Sequence, residues 1–199
     1  MRLVIGLGNP GSRYAGTRHN FGYRVVDAMA GARRLSFAPG KGDYLLAVQE
    51  SNDLALVKPT GFMNECGRPV REAVAFFQAA VEDMLVIFDD VDLSLGSLRF
   101  RPRGGAGGHK GVSSIIYHLR SEEFPRLRLG IATDAPLRPS EKYVLEPFRP
   151  QDEPLVEQVL EQAVAGVSYY LEQGIERTMT CYNTRVAEAM TEEGKGQSN

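Results

Sequence analysis

The stretch MRLVIGLGNPGSRYAGTRHNFGYRVVDAMA, residues 1–30, decides the fold. RLVIGL (2–7) is a short apolar run stopped by glycine, the pattern of a buried strand. GNPGSRYAGT (8–17) is loop by its Gly, Pro and Asn content. Beyond it Phe21, Val25, Val26 and Met29 recur at helical spacing, so Asn20 is expected to cap a helix running to about Ala30. A buried strand, a polar loop and an amphipathic helix in thirty residues open an α/β fold.

The same alternation continues outward. YLLAVQE and LALVKP flank SND and read as a hairpin. A helix over about 68–79 carries Pro69 in its first turn, where a missing N–H costs nothing. MLVIF (84–88) is a fully apolar strand that ends in DDVD, and SLRFR (97–101) is another strand. PRGGAGGHKG is a glycine-rich loop, VSSIIYHL a short helix, and RLRLGIA (126–132) a strand. A long helix over 152–173 is closed by Gly174, and a last helix covers about 175–189. The expected architecture is a single-domain sandwich of helices around a twisted mixed β-sheet over 1–189, with 190–199 a disordered tail.

Composition sets outer bounds. The 199 residues, 43% hydrophobic and 24% charged, suffice for a core without disulfide staples. Cys66 and Cys181 have no metal-ligand spacing and suit a reducing compartment. No apolar run approaches the ~20 residues of a membrane span, and the N-terminus is too glycine-rich for a signal peptide, so a cytoplasmic protein is expected. The net charge of -2 hides an uneven distribution. Residues 1–41 carry seven Lys/Arg against Asp27 alone, and residues 97–128 carry seven against Glu122 and Glu123. Two such blocks form either solvated faces or, if they converge, a phosphate-attracting surface.

Several stretches carry chemistry-bearing residues. GLGNPG (6–11) matches GxGxxG, but no helix opens directly after it, and the nearest acid, Asp27, falls inside a helix pattern. A dinucleotide site is therefore disfavoured. Two readings remain: a turn in which Asn9 bonds its own backbone, or an Asn9 amide offered to a ligand. GGHKGVS (107–113) fails as a P-loop because His109 precedes Lys110. The aspartates of FDDVD (88–92) could hold magnesium, cap a turn, or orient a histidine. In TGFMNECG (60–67), the residues alone favour Asn64 as a helix cap with Phe62 and Met63 in the core. His118 lies in a helix pattern and reads as structural, and His109 is open. His19 stands at a loop–helix junction, a place that favours function. With no GxSxG elbow and no cysteine near a histidine, water is the nucleophile that His19 would activate as general base.

Taken together, GLGNPG..Y..TRHN.G, FMN..G, DD.DL..G, GG.GGHKG..SII and R.R.GI resemble, in order and spacing, the bacterial peptidyl-tRNA hydrolases. The resemblance runs nearly end to end. It implies hydrolysis of the ester between a peptide and the terminal ribose of tRNA, by a monomer with no metal and no cofactor. It implies His19 as catalytic base and Asp89 as the acid that orients it. Asn9 and Asn64 would hold the peptide and the reacting water, and Tyr14 and Met63 would line the peptide groove. Arg101 and Arg128 would hold a phosphate at the tRNA acceptor end. Lys110 stands where many relatives carry an asparagine that gathers substrate and water; a lysine keeps donors, loses the acceptor and adds charge. That departure leaves a non-catalytic RNA-binding relative as the alternative.

Overall fold

The computed structural model describes residues 1–134 and 140–186, the side chain of Asn52 excepted. The expected tail over 190–199, and the last helix beyond 186, lie outside these residues. Strands β1 (Arg2–Gly6), β4 (Leu54–Pro59), β5 (Met84–Ser94) and β7 (Arg126–Ala132) run parallel at the centre of one seven-stranded sheet. Antiparallel strands complete it: β2 (Ala38–Pro39) and β3 (Tyr44–Gln49) beyond β4, and β6 (Leu98–Arg101) beyond β7. The order is β2-β3-β4-β1-β5-β7-β6, a mixed sheet as expected.

Period-2 alternation in buried strands feeds two cores. Val4, Leu85 and Ile87 face helices α1 (Phe21–Ala32) and α5 (Glu153–Gln173). Leu3, Ile5, Val86 and Phe88 face α2 (Gly67–Phe77) and α3 (Lys110–Leu119). None of the helices among the described residues is long and apolar enough to cross a membrane.

Four details depart from the sequence-based reading. β5 does not stop at Phe88 but runs through DDVD to Ser94, because Asp89 and Asp90 still pair with Leu129 and Gly130 of β7. A five-residue helix, α4 (Ser140–Val144), was not expected. The helix expected over 175–189 is interrupted: α6 spans Ile175–Tyr182, because the chain after it pairs with the start of β6, where Leu98 N–H donates to Thr184 O and Ser97 bridges Arg185. Asn20 precedes α1 but its side chain makes no capping bond; a tertiary partner described below claims it.

The first helix meets the sheet backbone to backbone. A Cβ on Gly22 would lie 2.2 Å from Ile87 O and 2.6 Å from Leu7 N, and one on Gly6 would lie 2.3 Å from Gly22 O. Only glycine allows this approach, and it sets the start of α1 against the ends of β1 and β5. Gly22→Ala is expected to cost at least the ~1–3 kcal/mol typical of overpacking, since the obstruction is rigid backbone. Gly31→Ala, in the same helix with open space around it, should be neutral or stabilising by up to ~1 kcal/mol. Urea denaturation of both variants checks the pair, and equal stability would contradict the packing described.

Candidate active site

The carboxyl ends of parallel strands are where α/β sheets bind ligands. β5 delivers Asp89 there, and the short 3-10 turn Arg18–Asn20 at the entrance to α1 delivers His19. His19 Nδ1 lies 2.9 and 3.0 Å from the two Asp89 oxygens. A second histidine joins them, with His109 Nε2 at 3.3 Å from Asp89 Oδ1. Asp89 is only 2% exposed. Burial by itself would raise its pKa, but the charge of His19 and hydrogen bonds from both rings outweigh it and hold the carboxyl well below the usual range.

An ionised carboxylate only accepts, so both facing ring nitrogens carry protons. His109 shows the same assignment from its other side: its Nδ1 accepts the Val112 N–H at 3.2 Å and caps α3, so its proton sits on Nε2. His19, with its proton on Nδ1, keeps a lone pair on Nε2, which has no protein partner among the described residues. Its ring lines an open cleft of about 830 Å³. Of the readings open for FDDVD, two are seen: Asp89 faces a histidine, and Asp90 Oδ1 accepts the Asp92 N–H at 2.9 Å as a turn cap.

Asn9 lines the same cleft and does not bond its own backbone. Its Oδ1 accepts the Met63 N–H at 2.8 Å, which fixes the amide orientation and leaves Nδ2 as a donor without a protein partner among the described residues. Asn20 secures this loop: its Oδ1 accepts the Asn9 N–H at 2.9 Å and its Nδ2 donates to Asn9 O at 3.0 Å. Asn64 caps no helix; it is exposed, lines the cleft, and its amide is free among the described residues. Met63 is buried as expected, whereas Phe62, expected in the core, is 48% exposed. Phe62 meets Tyr14 edge-on at 6.4 Å, and both rings line the cleft, so its apolar area serves the cleft and not the core.

Lys110 is exposed at the first position of α3, lines the cleft and has no anionic partner among the described residues. A cation at a helix N-terminus is electrostatically unfavourable, so its ammonium raises the positive potential beside His109. Arg101 and Arg128 do not line the cleft. They belong to an arginine ladder in which Arg99 faces Arg128 and Arg101 faces Arg126 across β6 and β7. Arg126, 1% exposed, is bonded by the carbonyls of Gly105, Glu122 and Phe124. Burial pushes its pKa down to about 10 against the pull of Glu122, with Arg128 adding to the fall. Arg128 donates Nε to Asp90, a cleft residue. Arg99 and Arg101 are exposed without a carboxylate partner among the described residues.

Sequence reasoning left His109 open and did not single out Arg126. The glycines before His109 marked the loop, but nothing local told which carboxylate would meet the ring. His118, read as structural, donates Nδ1–H to Ser114 O at 2.8 Å within its own helix. Among the described residues, the atoms best placed to ligate a metal are those of His19, Asp89 and His109, within 4.8 Å of one another. Here they satisfy one another by hydrogen bonds, while Asp90 is engaged by Arg128 and the Asp92 N–H.

The low pKa of Asp89 has a stability consequence of defined sign. Its folded value lies below the unfolded ~3.9, so the carboxylate contributes stability above about pH 4, and that contribution fades as pH falls further. Denaturant midpoints of the native protein should therefore drop more steeply below pH 4 than those of Asp89→Asn. Parallel curves would contradict an ionised Asp89.

Comparison with known proteins gives the family of the chain. A family model described as peptidyl-tRNA hydrolase matches residues 3–191. A peptidyl-tRNA hydrolase of Symbiobacterium thermophilum is 44% identical over 187 residues, covering 92% of this chain and 99% of the relative. One from Hydrogenobaculum sp. is 40% identical over 185 residues, covering 93% and 98%. The crystal structure of peptidyl-tRNA hydrolase from Acinetobacter baumannii superposes with a TM-score of 0.86 at 30% identity, covering 94% of this chain and 96% of that one. A chain matched by the family model over nearly its whole length, with relatives this similar from end to end, belongs to the peptidyl-tRNA hydrolase family.

Proposed function

We propose that this chain hydrolyses the ester bond between peptide and tRNA in peptidyl-tRNA, with His19 as general base. The observation that carries the reading is the His19–Asp89 contact, which leaves the lone pair of Nε2 in a cleft lined also by the Nδ2 donor of Asn9 and the amide of Asn64. Nε2 takes a proton from water as the water oxygen attacks the ester carbonyl carbon. Asp89 supports the imidazolium that forms without itself taking the proton. The Nδ2 donor of Asn9 and the amide of Asn64 are available to stabilise the negative oxygen of the tetrahedral intermediate. Collapse breaks the bond to the ribose oxygen, which leaves with the proton from the imidazolium.

Amides recognise a peptide backbone without reading side chains, and Tyr14, Phe62 and Met63 offer it an apolar wall. Lys110 would hold a carbonyl or a phosphate at the rim. Like charges directly opposite on a strand pair are destabilising. The Arg99, Arg101 and Arg128 ladder is best explained by a polyanion, the tRNA acceptor end, with Arg101 and Arg128 at its phosphate. Every group so assigned comes from one polypeptide, which suits a monomer, and a tRNA substrate suits a cytoplasmic enzyme. The intact His19–Asp89 pair argues against the non-catalytic alternative.

His19→Ala should be less stable, having lost the main partner of Asp89, and at temperatures where it is folded should lose ~10²–10⁴-fold in kcat on a blocked aminoacyl-tRNA, the usual weight of a general base. Activity equal to the native protein would overturn the assignment. Arg101→Ala should raise KM and reduce the slope of log KM against log salt by about 0.7–0.9 for each phosphate that the side chain neutralises. An unchanged slope would remove Arg101 from the tRNA interface.

A further inference from the structure

The residue before His19 is also buried, and for a different purpose. Arg18 is 2% exposed, yet its nearest carboxylate, on exposed Glu146, lies 3.4 Å from Nη1. The guanidinium is held chiefly by the chain around α4. Nη1 donates to Tyr143 O at 2.9 Å and lies 3.4 Å from Glu146 O. Its Cζ sits over the Tyr143 ring, 4.0 Å from the ring centre. Its Nε is buried with no hydrogen-bond partner. The backbone repeats the connection: Arg18 N–H donates to Glu146 O at 3.0 Å, and Thr17 bridges Pro147. α4 also lines the substrate cleft through Ser140, Glu141 and Val144, as does Leu145 just after it.

A buried cation whose ion-pair partner is an exposed carboxylate at 3.4 Å is a poor stabiliser, and its retention calls for a positional role. Arginine sits over aromatic faces more often than lysine, and its fork can donate to a carbonyl from the same position. We infer that Arg18 is a positioning residue: it pins the α4 wall of the cleft to the turn that carries His19, and through that wall sets the grip on the peptide part of the substrate. The wall shares the cleft with Asn9 and Asn64, whereas Arg99, Arg101 and Arg128 do not line it, which assigns the wall to acyl groups and not phosphates. This inference rests on the hydrolase reading for its substrate but not for its contact.

The test uses Arg18→Met in the full chain with two readouts. In native-state hydrogen exchange, the amides of Leu145 and Glu146 should exchange faster, while those of α1 and β5 keep their rates. In kinetics, KM for a tRNA carrying a tetrapeptide should rise about tenfold, the scale of a hydrogen bond to a charged group. KM for N-acetyl-aminoacyl-tRNA should change less than about twofold, a ratio within reach of a surface-scale perturbation. Tyr143→Leu, which keeps Arg18 but removes the ring beneath it, should give the same pattern if Arg18→Met does not fold. Unchanged exchange, or equal KM shifts on both substrates, would overturn the inference. If the native protein cleaves neither substrate, the hydrolase reading fails, and the exchange data still decide whether Arg18 pins α4.

Discussion

The structure depends on one contact, a buried carboxylate receiving N–H groups from two imidazoles. An ionised Asp89 removed from water is costly unless hydrogen bonds and charge replace its hydration. His19 engages both of its oxygens and His109 engages one. The three side chains come from the middle of β5, the turn before α1 and the N-cap of α3. Each of those places is therefore fixed relative to the other two. The glycine contact between α1 and the ends of β1 and β5 makes this possible, because a Cβ at residue 22 would hold the histidine away from the strand.

Three successive buried polar residues extend the same logic. Arg18 ties the turn to α4, His19 ties it to β5, and Asn20 ties it to the loop after β1. Asn20 in turn fixes Asn9, and Asn9 fixes Met63. One 3-10 turn thus sets the positions of the base, of the free amide donor and of two cleft walls. Local helix capping would have used Asn20 more cheaply in sequence terms, but a pair of buried backbone groups on Asn9 needed partners, and that requirement prevailed.

Much of this was legible in the residues. Apolar runs such as MLVIF and the helical spacing of Phe21, Val25, Val26 and Met29 define their elements because burial demands them. The parts that escaped are those settled by distant partners. DDVD looks like a turn, and only its pairing with β7 keeps it in the strand. Ser140–Val144 is too short to show a helical period, and the chain after Tyr182 is drawn off by β6. In the site, the motif order indicated His19, Asp89, Asn9 and Asn64, and the structure gathers them at one cleft. Burial of Arg18 and Arg126 was illegible, since an arginine in a basic block reads as solvated until its carbonyl partners are known.

The most direct measurement is the tautomeric state of the two rings, read from imidazole nitrogen chemical shifts by NMR with the rings neutral. A protonated Nδ1 with an unprotonated Nε2 at His19, and the reverse at His109, is the result expected from their hydrogen bonds. A proton on Nε2 of His19 would place its lone pair on the aspartate side, leave no base facing the cleft, and contradict the central claim.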